Sequence, residues 1–233
     1  MRIVISCALL IILSLGLVFA LEQAPLGSNH IDKKDKPGRY YLDQGMEKTG
    51  AANVVTSVVV TYRGFDTLGE VTILFIAAIG LGAVLYSRKK EKRDQKEKPS
   101  ASLILQTGCR FLFPLIVLFG TYVFIHGHLS PGGGFQGGVI IASAFLLLFL
   151  GCKEKKIPMK SMNAVESLAG IIFVGIGLAG LYWGGSFLEN FLPRGMPHML
   201  LSGGVIPIIY IAIGFKVGAE LAGIVAGLIE RNP

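Results

Sequence analysis

Charge is what this sequence has least of. Asp, Glu, Lys and Arg make up 16% of its 233 residues, where ordinary globular chains carry roughly 25%. Hydrophobic residues make up 52% and come in long uncharged runs without helix-period or strand-period alternation. That is the pattern of lipid-embedded helices of roughly 20 residues each, and a soluble domain does not fit it. Cysteine is scarce too. Cys7, Cys109 and Cys152 are odd in number and form no CxxC pair. No disulfide framework or metal site is visible, and the three read as small buried apolar thiols. Catalytic signatures are missing as well: there is no Walker A sequence, GxSxG, HExxH or CxxCH. No metal, no cofactor and no catalytic site of the chain's own is therefore expected.

The formal net charge is +7, but it does not point to nucleic acid. The excess sits in two short segments. One is residues 87–100, with seven Lys or Arg; the other holds Lys153, Lys155, Lys156 and Lys160. Membrane topology accounts for such clusters better than an anionic ligand does.

The apolar runs predict an all-α membrane protein with about six transmembrane helices. The first, residues 3–21, is too long for a usual signal-peptide core and reads as a retained helix, with a cleaved signal as the alternative. A polar stretch follows, residues 22–63. Within it, residues 53–62 are rich in Val and Thr and fit either a strand or a short surface helix. The further spans are residues 64–86, 103–125, 139–150, 168–188 and 202–229, with a turn-rich loop at 190–197. Placing both basic segments in the cytoplasm puts both termini there as well and gives that side 13 of the Lys and Arg residues against seven outside. The linker at 87–100 divides the chain into two candidate modules, residues 1–98 and 99–233.

Few polar residues interrupt the spans, which makes them informative. Lys216 lies near the middle of the last span and Glu220 one turn further. An ionisable group at that depth costs at least about 2.5–3.5 kcal/mol, so its default reading is functional. The i,i+4 spacing puts the two on one face, either as part of an ion path or as a structural pair. The same helix carries Gly214xxxGly218 and Gly223xxxGly227, small-residue spacings that admit a close neighbour. Asp66 and Glu70 are likewise i,i+4 at the start of the second span. His126 and His128 flank Gly127 at the expected outer membrane edge, where a histidine pair suits proton relay or simple interfacial hydration. The stretch continues through Pro131, Gly132, Gly133, Gly134, Phe135, Gln136, Gly137 and Gly138 as a glycine-rich bend. Its literal GxGxxG match lacks the strand, helix and distant acid of a dinucleotide site.

Two stretches resemble known family motifs. His128-Leu-Ser-Pro-Gly-Gly-Gly-Phe-Gln-Gly-Gly138 resembles the signature of the B subunit of Mrp-type (Mnh-type) multisubunit Na+/H+ antiporters, a module that would cover residues 99–233. The segment around Gly64-Phe-Asp-Thr-Leu-Gly-Glu70 resembles the C-terminal part of the large Mrp A subunit, which also occurs as the separate E-type subunit of archaeal membrane-bound hydrogenases. The large proton-pumping part of an A subunit is absent. The resemblance therefore implies the Mrp-derived module of an energy-converting respiratory complex, such as a membrane-bound hydrogenase or a sulfane-sulfur reductase. It implies other Mrp-type membrane subunits as partners, Na+ and H+ as the ions moved, a multi-pass location in the cell membrane, and a place for Glu70 in the ion path. The glycine-rich stretch carries over as a signature without a chemical step. Two functions stay open on these residues: an ion-translocating subunit, with Glu70, Lys216 and Glu220 lining a hydrated path, or a non-conducting scaffold.

Overall fold

A computed structural model describes residues 11–12, 14–16, 18–19, 37–87, 101–152 and 159–231. The elements are α1 (Pro37–Thr49), α2 (Val54–Thr56) running on as a π-helix (Ser57–Tyr62), α3 (Gly64–Ser87), α4 (Leu103–Ile125), α5 (Gly134–Gly151), α6 (Met159–Gly184) and α7 (Ile206–Arg231). Among the described residues there is no strand. Five helices, α3 to α7, are long and apolar enough to cross a membrane. At 1.5 Å per residue they are roughly 27–39 Å long, matched to a hydrocarbon core of about 30 Å. The expected span at 3–21 lies mostly outside the described residues, as do Cys7 and the basic stretch at 153–158; those of its residues that are described are helical.

Contacts divide the chain into two units, residues 1–40 and 41–233. In the larger unit α7 is the central post. It packs on α3, α4, α5 and α6, and α5 packs as closely on α4. Of α7's membrane window 56% is buried within the chain, against 11% for α3, so α3 is peripheral and its apolar surface faces outward.

The glycine-rich stretch explains how α5 fits between its neighbours. The expected bend ends at Gly133, whose φ of 153° with ψ of −179° lies in a region open essentially to glycine alone. Gly134 to Gly138 are already helical, which corrects the reading of the whole signature as a bend. Gly134 and Gly138 are one turn apart and face α7. A Cβ at Gly134 would stand 2.7 Å from Ile213 Cβ, and one at Gly138 would stand 2.8 Å from Val217 Cβ and 2.9 Å from the Gly214 carbonyl. Gly137 faces the other way, toward α4, where a Cβ would stand 2.6 Å from the Gly120 carbonyl. Small residues on both sides of α5 thus bring three backbones together, the arrangement by which helices associate in lipid.

The irregular part, residues 126–133, has three of its carbonyls satisfied by the segment that precedes α3. The Asn53 amide N–H donates to the His128 carbonyl (3.0 Å). Asn53 Nδ2 donates to the carbonyls of Gly127 (2.9 Å) and Ser130 (3.1 Å). Thr56 Oγ1 also donates to Gly127 O (2.8 Å) and accepts from the Tyr210 hydroxyl of α7 (2.8 Å). Non-helical backbone at membrane depth is tolerated only with such internal partners. Residues 53–62 are therefore neither a strand nor a surface helix. They form a helical segment with Thr56, Ser57 and Val60 fully buried, and Asn53 caps it through Val55 N (3.0 Å).

Further boundaries differ from the sequence expectation. α6 begins at Met159 rather than at 168, because polar residues such as Lys160, Ser161 and Asn163 still continue the helix. The connection to α7 runs from 185 to 205. It folds back over the bundle end, where Phe187 stacks on Phe65 (5.0 Å between centroids) and meets Phe173 edge-on (6.3 Å).

The seam and the junction each generate a prediction. Gly138→Ala overpacks the α5–α7 contact and should destabilise the detergent-purified protein by about 1–3 kcal/mol. Gly82→Ala, with nothing within 4 Å of the added carbon, should leave its thermal midpoint unchanged. Asn53→Ala strips two carbonyls of their side-chain donor and removes a cap, at about 1–3 kcal/mol. An unchanged midpoint for Asn53→Ala would mean that this junction does not support the fold.

Candidate functional site

α3, α6 and α7 converge on one ammonium group. Lys216 lies ten residues into α7 with its side chain 7% exposed, and its Nζ donates to Glu220 Oε2 at 2.9 Å. Glu220, one turn further, is 1% exposed. From α6, Glu166 places Oε1 3.8 Å from the same Nζ, and its side chain is 20% exposed. The ring of Phe75 on α3 covers the ammonium, with its centroid 5.3 Å from Nζ. Gly170, one turn beyond Glu166 on α6, lies against the lysine stem, where a Cβ would make ordinary contact with Lys216 Cε at 3.7 Å.

The electrostatics of this group are unbalanced. Two carboxylates face one ammonium, a formal surplus of one negative charge. Glu220 Oε1 is buried and has no hydrogen-bond partner within the described chain. Burying ions is costly unless they are paired and their remaining lone pairs are satisfied. The unmet oxygen and the surplus carboxylate distinguish this cluster from a closed structural pair. In chemical terms it can hold one more proton or a small cation.

Sequence reasoning brought Lys216 and Glu220 together through their spacing and missed Glu166. The signal that would have found it was present: an acid two residues before an apolar run, on a helix that starts earlier than that run. The structure does not bring the other candidates to this cluster. Glu70 is exposed on α3. Asp66 is engaged in an exposed ion pair, its Oδ2 2.5 Å from Arg63 Nη2. His126 stacks on Tyr122 with centroids 4.3 Å apart, and its Nδ1 lies 3.2 Å from the Tyr122 carbonyl.

His128 is surrounded differently. It is fully buried beside Gly203, and neither ring nitrogen has a hydrogen-bond partner among the described residues. Burial holds its pKa below the ordinary histidine value, so the ring is kept neutral. Pro131 and Gln136 are exposed, and Phe135 packs partly buried against the core around Tyr210 and Ile213. The two thiols that are described, Cys109 and Cys152, are free and buried together beside Leu148.

Comparison with known proteins agrees with this architecture. Residues 104–223 match the family described as a domain related to the MnhB subunit of Na+/H+ antiporters. Residues 8–102 match the MbhE family, described as the E subunit of MBH. A protein of Methanocaldococcus jannaschii is 33% identical over 195 residues, 73% of this chain and 74% of its own length. A chain of the membrane-bound sulfane sulfur reductase (MBS), an archaeal respiratory membrane complex, is 46% identical; the match covers 98% of both chains with a TM-score of 0.75. A chain of the Mrp complex from Dietzia sp. DQ12-45-1b is 28% identical with a TM-score of 0.71. That match covers 99% of this chain but only 26% of the Dietzia chain. Both solved relatives are chains of larger complexes, the first of them a membrane complex. With its five apolar helices and these matches, the chain is a multi-pass membrane protein and belongs to the family of domains related to the MnhB subunit of Na+/H+ antiporters.

Proposed function

We propose that the chain is an integral subunit of a Mrp-type cation/proton antiporter module, working within an energy-converting respiratory complex of the sulfane-reductase or membrane-bound-hydrogenase kind. The observation that carries this reading is the buried Lys216–Glu220 pair in the middle of the central helix, with an unmet carboxylate oxygen. Lys216 and Glu220 form part of a hydrated path for Na+ or H+ through the bundle. The 46% identity across 98% of a chain of the archaeal reductase complex supports the respiratory setting.

Glu70 belongs to the same proposal in a different position. A carboxylate that faces lipid within a span is costly, so its exposed place on α3 implies a neighbouring subunit or a water-filled crevice against that face. Glu70 then meets the path from outside this chain. Asp66, His126 and His128 take lesser parts. Asp66 is held by Arg63, and the two histidines border the entrance at the end of α4. In sequence the chain divides at its basic linker into an E-type module, residues 1–98, and a B-type module, residues 99–233. The two family matches, ending at 102 and starting at 104, favour that division. Other Mrp-type subunits cover the outward faces of α3 and α4, with lipid around the rest.

The competing reading is a scaffold in which the buried pair only locks the helices. The glycine seam and the Asn53 junction favour it to the extent that they serve packing alone. Removing Lys216 by itself does not separate the two readings, because an orphaned buried charge costs about 3–5 kcal/mol and weakens assembly under either. Removing both charges does separate them, since a buried pair replaced by neutral groups of similar volume is often tolerated. The double variant Lys216→Met, Glu220→Gln should assemble on native gels and lose cation-dependent antiport in membrane vesicles. Wild-type antiport in the assembled double variant would establish the scaffold. Glu70→Gln should likewise assemble and reduce antiport.

A further inference from the structure

We propose that Glu166 is the third member of the ion path, the group through which the buried Lys216–Glu220 pair exchanges protons with water. This rests on the reading of Lys216 and Glu220 as part of a path, and it adds a direction and an exit. Three observations carry it. Glu166 Oε1 lies 3.8 Å from Lys216 Nζ, within reach of a small side-chain movement. Its side chain is 20% exposed, where that of Glu220 is 1% exposed. It also sits seven residues into α6, roughly 10 Å along the axis from the helix start, on the side of the basic loop.

A structural counter-ion does not account for this placement. Lys216 already has a full partner in Glu220 at 2.9 Å, so a second carboxylate is surplus for neutralisation and adds a desolvation cost of its own. What the surplus carboxylate supplies is capacity, a second acceptor on the same donor. Among the described residues no other titratable group competes for the role. α3 presents the Phe75 ring to Nζ, α5 carries no titratable side chain, and α4 sets Phe124 against α7 at Gly214.

The exchange moves one proton. An N–H bond of Lys216 breaks as an O–H bond forms at Glu166 Oε1, leaving a neutral amine hydrogen-bonded to Glu220. Glu166 gives the proton to water at its exposed edge. A proton arriving through the bundle then restores the ammonium. Run in reverse, the same steps load the pair.

Glu166→Gln keeps the shape and a polar group but cannot accept the proton. In vesicles carrying the whole complex it should assemble normally, lower the antiport rate about tenfold, equivalent to ~1.4 kcal/mol in the barrier, and flatten its dependence on pH. Glu166→Asp should restore part of both. Wild-type rate and pH profile in Glu166→Gln overturn the proposal. If the Lys216→Met, Glu220→Gln variant is impaired in the same assay, the path stands without Glu166; if that variant is also normal, the path itself falls. Should Glu166→Gln fail to assemble, the unaltered complex decides. A hydrophobic carbodiimide, which reacts with protonated carboxyls, should label Glu166 in preference to Glu220, less so at alkaline pH. No label on Glu166 at any pH overturns the proposal.

Discussion

An ammonium group inside a membrane span needs an anion beside it, and the bundle is arranged so that Lys216 has two. Everything around that group serves its enclosure. α7 can be buried on most sides because the glycines of α5 let its backbone approach to near contact, and Gly137 does the same toward α4. α6 adds Glu166, with Gly170 against the lysine stem, and α3 closes the site with Phe75. Taking away one partner of such a group leaves a buried charge uncompensated, at about 3–5 kcal/mol. The Lys216–Glu220 pair lies within α7, and it is Glu166 that ties the ammonium to α6.

A second constraint operates at the end of the bundle. The non-helical backbone after α4 must find donors inside the protein. It finds them in Asn53 and Thr56, residues of the part of the chain that precedes the basic linker. Tyr210 ties the same knot to α7. The parts of the chain before and after residues 88–100 are thus tied by a set of hydrogen bonds across 71 to 77 residues of chain as well as by the chain itself. A signature that looks like a ligand loop is explained by packing and backbone satisfaction. Gly133 takes a conformation closed to other residues, and Gly134, Gly137 and Gly138 form the helix seam.

How much of this could be seen in the sequence depended on the range of the interaction. The spans 103–125 and 64–86 were legible almost to the residue, because uncharged runs end abruptly at polar ones. Lys216 and Glu220 were legible as a pair from one turn of spacing. Glu166 was not, because it lies outside the apolar run and its partner is 50 residues away on another helix. The roles of Asn53 and Thr56 were equally hidden, since their bonds are tertiary and the Val- and Thr-rich segment carrying them has no decisive period. The outward placement of Glu70 could not be read either: α3 is apolar nearly all round, and such a helix gives no clue to which face is covered.

An ion path through the bundle requires the Lys216 cluster to be open to water and not a sealed brace. An experimental map of the assembled complex, at a resolution where ordered waters are visible, tests it most directly. An open path places water or a cation within hydrogen-bonding distance of Glu220 Oε1, connected through further waters to Glu166 and on to the membrane surface. A dry cluster, with Glu220 Oε1 satisfied by a donor from a neighbouring subunit and Glu166 sealed from solvent, would contradict it.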